Sequence, residues 1–240
     1  MMVSERYKDI YPCSSDKWFR KDNISKFHLE SVKIILKDIE SKKMLDWGCG
    51  NLMWPIALFP EAEITGIEKS YQSLKYASIN AKHNNVKFSG VHESLATEIP
   101  FDEFDFISSF GLIEFLSSED FFTIHNKMYN FLSPGGFMLS VFYNWRPLSA
   151  LFLPHLIRGG YNKYCKKLEC SISKNSISVV ESHLTSIGFQ IIKSGGFNPY
   201  PGVLWPKVNS MNCFITYSRF CSYWYCNQFI LSRKPELNSR

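Results

Sequence analysis

A short stretch of the sequence, LDWGCGN, has residue types and a spacing that could bind a ligand. It follows an apolar run, and its Asp46, Gly48 and Gly50 form a D-x-G-x-G pattern. Glycines at this spacing let the backbone turn sharply and approach a ligand, because no Cβ blocks the way. A second acid, Glu68, ends the apolar segment ITGIE, and a carboxylate there can accept hydrogen bonds from both hydroxyls of a ribose. Together these residues indicate a nucleoside ligand.

Two classes of nucleotide ligand could use such a turn. A dinucleotide turn has the pattern G-x-G-x-x-G, whose third glycine allows close helix packing and whose helix N-terminus receives a pyrophosphate. Here the third glycine position is Met53, and the charge of Asp46 would repel a pyrophosphate but attract an ammonium group. The turn therefore favours a ligand with an amino-acid tail. Glu68 also has a simpler interpretation, because an acid before a helix favours the helix N-terminus without any ligand.

The elements that must position these residues alternate along the chain. Apolar residues at a spacing near 3.6 predict a first helix within residues 24–39, and strands and helices then alternate as far as a strand in GGFMLSVFY. Ser117 or Ser118 is expected to cap the helix in SEDFFTIHNKMYNFL. A helix closed by Gly188, a strand in FQIIKSGGF and a final strand in WYCNQFILSRK follow. This alternation predicts right-handed crossovers and a parallel sheet.

Four motifs in order give the chain a resemblance to a known family. They are DWGCG at 46–50, GIEKS at 66–70, FDFI at 104–107 and LSPGGFMLSV at 132–141. From Met44 through Phe142 the chain resembles the class I S-adenosylmethionine-dependent methyltransferases. The resemblance implies an α/β fold with a doubly wound, seven-stranded, mostly parallel sheet whose last strand runs antiparallel, and it implies S-adenosylmethionine as the cofactor.

Two long segments and an N-terminal region extend this core. We expect residues 1–42 to form a helical N-terminal arm or lid, and residues 43–240 to form the S-adenosylmethionine-binding domain. The block of about 144–174 is too long for an ordinary strand-to-helix connection, so it predicts a cap insertion after the fifth strand. A second insertion is expected at about 197–222. It is dense in aromatic and apolar residues and could build a substrate pocket, a dimer surface or core.

The resemblance also implies roles for residues of the glycine turn and of the second strand. Gly48, Cys49 and Gly50 would line the methionine part of the cofactor, with Asp46 near its ammonium group. Glu68 would hold the ribose.

Further positions are implied for the adenine and the sulfonium. Lys69 and Ser70 would border the adenine. After the third strand, Glu93 would contact the adenine amine and Ser94 the ring, although the longer gap to Pro100 leaves His92 or Leu95 as alternatives. Phe110 and Gly111, at the end of the fourth strand, would lie beside the sulfonium.

No catalytic motif is visible in the sequence. Methyl transfer from a sulfonium is an in-line displacement whose leaving thioether needs no acid, so positioning can supply much of the catalysis. A base is needed only when the acceptor must lose a proton. Candidates on the acceptor side are Glu114, Tyr143 and His155, although Glu114 could be a helix-entry acid and His155 a structural histidine.

The N-terminal arm contains aromatic residues that could cover the cofactor. Tyr11 and Trp18 could attract the positive sulfonium through their ring faces. Simple packing of the arm is the alternative interpretation.

Composition and charge narrow the kinds of site, cellular location and ligand that the sequence allows. Seven cysteines without a C-x-x-C pair argue against a disulfide framework or a zinc module, and we expect no metal. No signal peptide or membrane span is visible, so a cytoplasmic location is expected.

The charge is unevenly distributed along the chain. Residues 46–145 carry 5 basic and 12 acidic side chains, whereas residues 146–240 carry 12 basic and 3 acidic ones. The basic excess could be a solvated surface or could meet a different ligand from the acidic part.

The acceptor is expected to be a small organic molecule, with an apolar body and an acidic group as one option, methylated on oxygen, nitrogen or carbon. An RNA or protein acceptor, or a non-catalytic interaction scaffold, stays open. Nucleic acid is disfavoured because the basic residues are scattered and because the fourth strand ends SSFGLIEF, without the asparagine-proline signature of base-methylating enzymes. The oligomeric state is not predicted.

Overall fold

The architecture alternates strands and helices, as the sequence predicts. The computed structural model describes residues 23–99, 103–144, 176–199, 215–218 and 225–236. The strands are β1 Lys43–Trp47, β2 Glu63–Glu68, β3 Phe88–His92, β4 Phe104–Phe110, β5 Leu132–Tyr143, β6 Gln190–Pro199, β7 Ile215–Thr216 and β8 Tyr225–Arg233. The helices are α1 Asn23–Ile35, α2 Met53–Leu58, α3 Tyr71–His83, α4 Ser118–Phe131 and α5 Ile177–Ser186, with 3-10 turns at Glu93–Glu98 and Ile113–Phe115.

The strands form one sheet in the order β3-β2-β1-β4-β5-β8-β6-β7. β1 pairs in parallel with both β2 and β4, and β4 pairs in parallel with β5. β8 runs antiparallel between β5 and β6. The winding therefore reverses at β1, and the carboxyl ends of β1 and β4 border the crevice where ligands of such sheets bind.

The doubly wound, mostly parallel sheet and its antiparallel last strand confirm the predicted fold class. The strand count differs by one, because eight strands are present within the described residues and seven were predicted. The additional strand, β7, has two residues that pair with Gly196 and Phe197 at the edge of β6. So short a strand has no alternation of apolar and polar residues that a sequence could reveal.

Helices cover both faces of the sheet, and each face has its own core. Helices α1, α2 and α3 pack on the face to which Met44, Phe106 and Phe229 point. Helices α4 and α5 pack on the opposite face, against Leu45 and Ile107. The adjacent residues Met44 and Leu45 are both fully buried, since a central parallel strand is covered on both faces.

Ser117 and Gly188 mark helix ends as the sequence predicts, and Ser70 marks a third. Ser117 caps α4, because its side chain accepts a hydrogen bond of 3.1 Å from the Asp120 N–H. Ser70 caps α3 in the same way, with 3.2 Å to the Ser73 N–H. Gly188 follows α5 with a φ of 107°, the left-handed conformation that a glycine adopts at low cost.

Several predicted features lie outside the described residues. These are Tyr11, Trp18 and His155, together with most of the expected cap and of the expected C-terminal insertion. The domain boundaries stay predictions. Among the described helices, none is both long enough and apolar enough to span a bilayer.

Candidate functional site

The turn after β1 has the backbone conformation that its glycines predict. Gly48, Gly50 and Leu52 all have positive φ, at 76°, 50° and 67°. A Cβ on Gly48 would lie 3.0 Å from the Leu112 side chain, whereas a Cβ on Gly50 would meet no atom within 4 Å. The side-chain position of Gly48 is therefore filled by Leu112, whereas that of Gly50 is open. This leaves room for a ligand against the Gly50 backbone.

Cys49 fixes this turn to the neighbouring strand. The N–H groups of Gly48 and Cys49 both donate to the Ile67 carbonyl, at 2.8 and 3.0 Å. The thiol is buried against β2, where a Cβ on Gly66 would lie only 2.6 Å from its sulfur. Burial, followed by the nearby carboxylates, raises the pKa of the Cys49 thiol well above its ordinary value. The thiol is therefore a packing group and not a nucleophile.

Glu68 bridges the glycine turn and the start of α3. Its Oε2 accepts a hydrogen bond of 3.0 Å from the Gly50 N–H, and its Oε1 accepts one of 2.9 Å from the Ser70 N–H. Each carboxylate oxygen has a second lone pair, so both can also accept from hydroxyl groups. The structure thus holds a half-buried carboxylate at the carboxyl edge, and its two oxygens are fixed but can still accept hydrogen bonds from a diol.

Asp46 lies beside this carboxylate but is almost completely buried, with 2% of its surface exposed. The Ser108 hydroxyl on β4 donates to its Oδ1 at 2.6 Å. Burial raises the pKa of Asp46 from 3.8 to about 7, the Ser108 bond opposes this shift, and the charge of Glu68 adds to it. No ion pair offsets the burial of Asp46 within the described residues, so a cationic group at this position would be strongly favoured.

The segment after β3 is joined to the loop after β2 by His92. Its Nε2 lies 2.9 Å from the Lys69 carbonyl oxygen, and its Nδ1 lies 2.8 Å from Ser94 Oγ. Because a carbonyl only accepts, Nε2 carries the proton and Nδ1 accepts. The exposed ring of Tyr71 stacks on the imidazole with centroids 4.1 Å apart. Glu93 is half-buried at the start of the following 3-10 turn.

At the end of β4, Phe110 stacks on Trp54 of α2 with ring centroids 4.7 Å apart and nearly parallel planes. Gly111 follows with a φ of 65°, and its N–H donates to the Val141 carbonyl at 2.8 Å. The aromatic pair thus lies beside the glycine turn, since Trp54 belongs to the helix that the turn begins.

The acceptor-side candidates are placed only in part. Glu114 lies in the 3-10 turn that follows β4, and Tyr143 ends β5 with 41% of its surface exposed. No catalytic role follows from these positions. Across the described ranges, no three His, Cys, Asp or Glu side chains come together in a way that could hold a metal ion.

The structure therefore brings together Asp46, the glycine turn and Glu68, which are separated in sequence but meet at one edge of the sheet. The sequence analysis did not single out two aromatic residues that lie next to these positions in the structure, Trp54 and Tyr71. Signals for both exist, because each is an aromatic residue within the first turns of a helix that follows a predicted ligand-binding strand. The sequence alone does not separate such a residue from an ordinary core or surface aromatic.

Comparison with known proteins shows which family the chain belongs to. Residues 22–186, more than half of the chain, match the sequence model of the family described as Methyltransferase domain. The chain is a class I S-adenosylmethionine-dependent methyltransferase. Its cofactor is S-adenosylmethionine. The chemistry of the carboxyl edge is compatible with that molecule, because a fixed carboxylate can accept hydrogen bonds from a diol, an open glycine leaves room for a chain, and a buried acid favours a cationic group.

Solved structures agree with the methyltransferase fold. A possible histamine N-methyltransferase from Thermotoga maritima superposes with a TM-score of 0.64 at 16% identity, over 97% of this chain and 95% of that chain. The N-methyltransferase NodS from Bradyrhizobium japonicum, solved with S-adenosylhomocysteine, gives 0.59 at 14% identity, over 98% and 97%. A methyltransferase from Mesorhizobium loti gives 0.59 at 14%, over 87% and 98%. At these identities the likeness establishes the fold alone. No curated protein matches the sequence.

Proposed function

We propose that this methyltransferase transfers the methyl group of S-adenosylmethionine to an oxygen, nitrogen or carbon atom of a small organic acceptor. The observation that carries the proposal is the stacked pair of Phe110 and Trp54 at the carboxyl edge, beside the acidic glycine turn. An aromatic wall suits an acceptor with an apolar body.

Charge supports a small acceptor over a polynucleotide. The segment 46–145, which contains the glycine turn and the ends of β1 to β5, carries 12 acidic and 5 basic side chains. A surface that binds nucleic acid is expected to neutralise phosphates with clustered lysine and arginine side chains. At the carboxyl edge the glycine turn is flanked by the carboxyl groups of Asp46 and Glu68, which disfavour that kind of acceptor.

In this proposal, each residue near the methionine part of the cofactor has a physical role. Asp46 stabilises the ammonium group of the cofactor, and the open backbone of Gly50 admits the methionine chain. Cys49 contributes through the packing that holds the turn against β2, as its buried thiol already requires. When bound, S-adenosylmethionine supplies a methyl group on a positively charged sulfur, and Phe110 would be the residue beside that sulfur.

The nucleoside end follows from the contacts of β2 and β3. Glu68 accepts from the ribose hydroxyls while its bonds to the turn and to α3 keep the carboxylate in place. Lys69, Ser94 and Glu93 border the adenine, and His92 connects the two loops that carry them. The sequence left His92 as an alternative adenine contact, and its bonds to both loops support a place for it in this site.

Two experiments test the proposal. Titration calorimetry with S-adenosylhomocysteine should show binding to the wild-type chain, and absence of binding at millimolar ligand would refute the cofactor site. Methyl transfer from labelled S-adenosylmethionine should then be measured with cell extract divided into a low-molecular-weight filtrate and a macromolecular fraction.

The two fractions discriminate between acceptor classes. Label that appears in the filtrate supports a small acceptor. Label confined to the macromolecular fraction, and removed by ribonuclease or by protease, would instead identify an RNA or a protein acceptor and contradict the proposal.

A further inference from the structure

A buried asparagine on α3 forms a hydrogen bond with the turn that follows β1. The amide nitrogen Nδ2 of Asn80 donates to the carbonyl oxygen of Asn51 at 3.0 Å. Asn80 is completely buried, and the buried residues of α3 also include Ala77 and Ala81. The two asparagines are 29 positions apart, and the sequence does not single out either of them. Their contact is therefore a product of the fold.

The turn that Asn80 contacts has a backbone conformation that needs support. Gly50 and Leu52, the residues on either side of Asn51, have positive φ angles of 50° and 67°. Because Leu52 is not a glycine, its left-handed conformation carries a steric cost. Backbone conformations of this kind persist only where the surrounding structure determines them. The contacts that the turn makes with other elements therefore decide its conformation.

The first half of the turn is held by β2. The N–H groups of Gly48 and Cys49 donate to the backbone of that strand, and the Gly50 N–H donates to the side chain of Glu68 at its end. These bonds fix the peptide groups as far as the one that joins Cys49 to Gly50. They do not reach the carbonyl of Asn51, which belongs to the second half of the turn.

The second half of the turn is tied to α3 by Asn80. The bond to the Asn51 carbonyl fixes the peptide group that leads into Leu52, the residue with the strained conformation. The Leu52 N–H also donates to the Cys49 carbonyl at 2.8 Å, and the Met53 N–H to the Asn51 side chain at 3.4 Å. Both of those bonds lie within the segment itself and move with it. The bond from Asn80 comes from a neighbouring element and so anchors the segment.

The same helix is also bonded to the carboxylate at the nucleoside end of the site. The N–H of Ser70, the residue that caps α3, donates to Oε1 of Glu68, and Oε2 of Glu68 accepts from the Gly50 N–H. The helix, the carboxylate and the turn therefore form a closed ring, which meets α3 at Ser70 and at Asn80. Since a helix is rigid between two such points, the ring sets the position of the turn relative to the carboxylate.

The chemistry of Asn80 favours a role beyond packing. Its carbonyl oxygen Oδ1 is buried and has no hydrogen-bond partner within the part of the chain that the structure describes. Burial of an amide with an unpaired carbonyl lowers stability, and an apolar residue of the same shape would avoid this loss. The amide is therefore better explained by its bond to the turn than by the stability of α3.

We propose that Asn80 is a positioning residue for the cofactor, which holds the turn so that the Gly50 backbone stays open to the methionine part of S-adenosylmethionine. The inference rests on the proposed role of the glycine turn and adds a residue that acts through Asn51. Without this bond the Asn51 carbonyl can rotate, and the strained turn relaxes before the cofactor binds. Binding must then order the turn again, which weakens the affinity.

Asn80→Leu tests this role, because leucine has a similar shape but cannot donate to the Asn51 carbonyl. The dissociation constant for S-adenosylhomocysteine, measured by calorimetry, should rise about threefold to tenfold. Amide hydrogen exchange of the ligand-free protein should become about threefold faster or more in the peptide 46–54, whereas the peptide 63–68 of β2 should exchange as in the wild type. The urea midpoint should change little, since the unpaired carbonyl is removed as well.

A control and a second substitution accompany this variant. Ser31→Ala removes a hydroxyl that is as deeply buried as Asn80 but belongs to α1. It should leave both the affinity and the exchange of the two peptides as in the wild type. If Asn80→Leu does not fold, Asn80→Ala replaces it, because alanine adds no atoms to the site. Asn80→Ala should show the same two changes together with a lower urea midpoint, since it leaves a cavity.

The outcomes separate this inference from the proposed function. If the wild type does not bind S-adenosylhomocysteine, the proposed function fails, and this inference fails with it. If the wild type binds and the Asn80 variant binds equally well, the inference alone is wrong. Faster exchange in both peptides would mean a general loss of stability, and unchanged exchange in the peptide 46–54 would mean that the turn is held without Asn80; either result overturns the inference. Weaker binding by Ser31→Ala would overturn it too, because any buried polar group would then have the same effect.

Discussion

The buried carboxylate of Asp46 should make cofactor binding depend on pH. Burial raises the pKa of Asp46 to about 7 in the protein without ligand. A bound ammonium group beside it would favour the ionised form and lower that pKa toward or below its ordinary value of 3.8. Binding should therefore expel a proton wherever Asp46 is protonated before the cofactor arrives.

The size of the effect follows from this shift. With a pKa of about 7, roughly nine tenths of Asp46 is protonated at pH 6, about half at pH 7 and roughly one tenth at pH 8. If only the ionised form binds, the affinity for S-adenosylmethionine should be about tenfold weaker at pH 6 than at pH 8, or about 1.4 kcal/mol. The sign is fixed: protons are released on binding, and acid weakens binding.

Calorimetry can measure both quantities. Titrations with S-adenosylhomocysteine in two buffers of different ionisation enthalpy, at pH 6 and again at pH 8, give the number of protons released as well as the dissociation constant. Asp46→Asn is the matched control, because asparagine keeps the shape and can accept from Ser108 but does not titrate. Its affinity should be weaker than that of the wild type and should not change between the two pH values.

A dissociation constant that is the same at pH 6 and pH 8, without proton release at pH 6, would refute the reasoning. It would mean that the ammonium group does not lie beside Asp46, or that the carboxylate is already ionised in the free protein. A pH dependence that persists in Asp46→Asn would assign the titration to another group.

Three other perturbations test the site and its support. Glu68→Gln should weaken S-adenosylhomocysteine binding by about 1 to 3 kcal/mol in calorimetry, through loss of a charged hydrogen-bond acceptor, whereas the exposed control Glu61→Gln should not. Gly66→Ala should destabilise the fold by about 1 to 3 kcal/mol in urea unfolding, because its Cβ would lie 2.6 Å from the Cys49 sulfur; an unchanged midpoint would show that the turn can shift freely. Burial lowers the pKa of His125 from 6.5 to about 4, so stability should be full above pH 6.5 and decline as the pH falls toward 4, by about 3 kcal/mol. His125→Phe should flatten this decline in urea midpoints between pH 7 and pH 5, and an equally steep decline in the variant would exclude His125 as its cause.

The sequence by itself determined the elements and the conformation of the glycine turn after β1. Alternating apolar segments predicted the strands and helices, and the positions of Gly188 and Ser117 marked helix ends that the structure confirms. These features depend on neighbours within a few residues, so local patterns reveal them. The pattern of Asp46, two glycines and Glu68 was equally local, because one crossover connects the first two strands.

Only the tertiary structure decided the environment of those residues. The pKa of Asp46 depends on burial and on Ser108, which lies 62 positions away on β4. The hydrogen bond from Asn80 to the Asn51 carbonyl exists only because β2, which leads into α3, lies beside β1 in the sheet. Such contacts arise from the order of strands in the sheet, and the order of strands is not a local property of the chain.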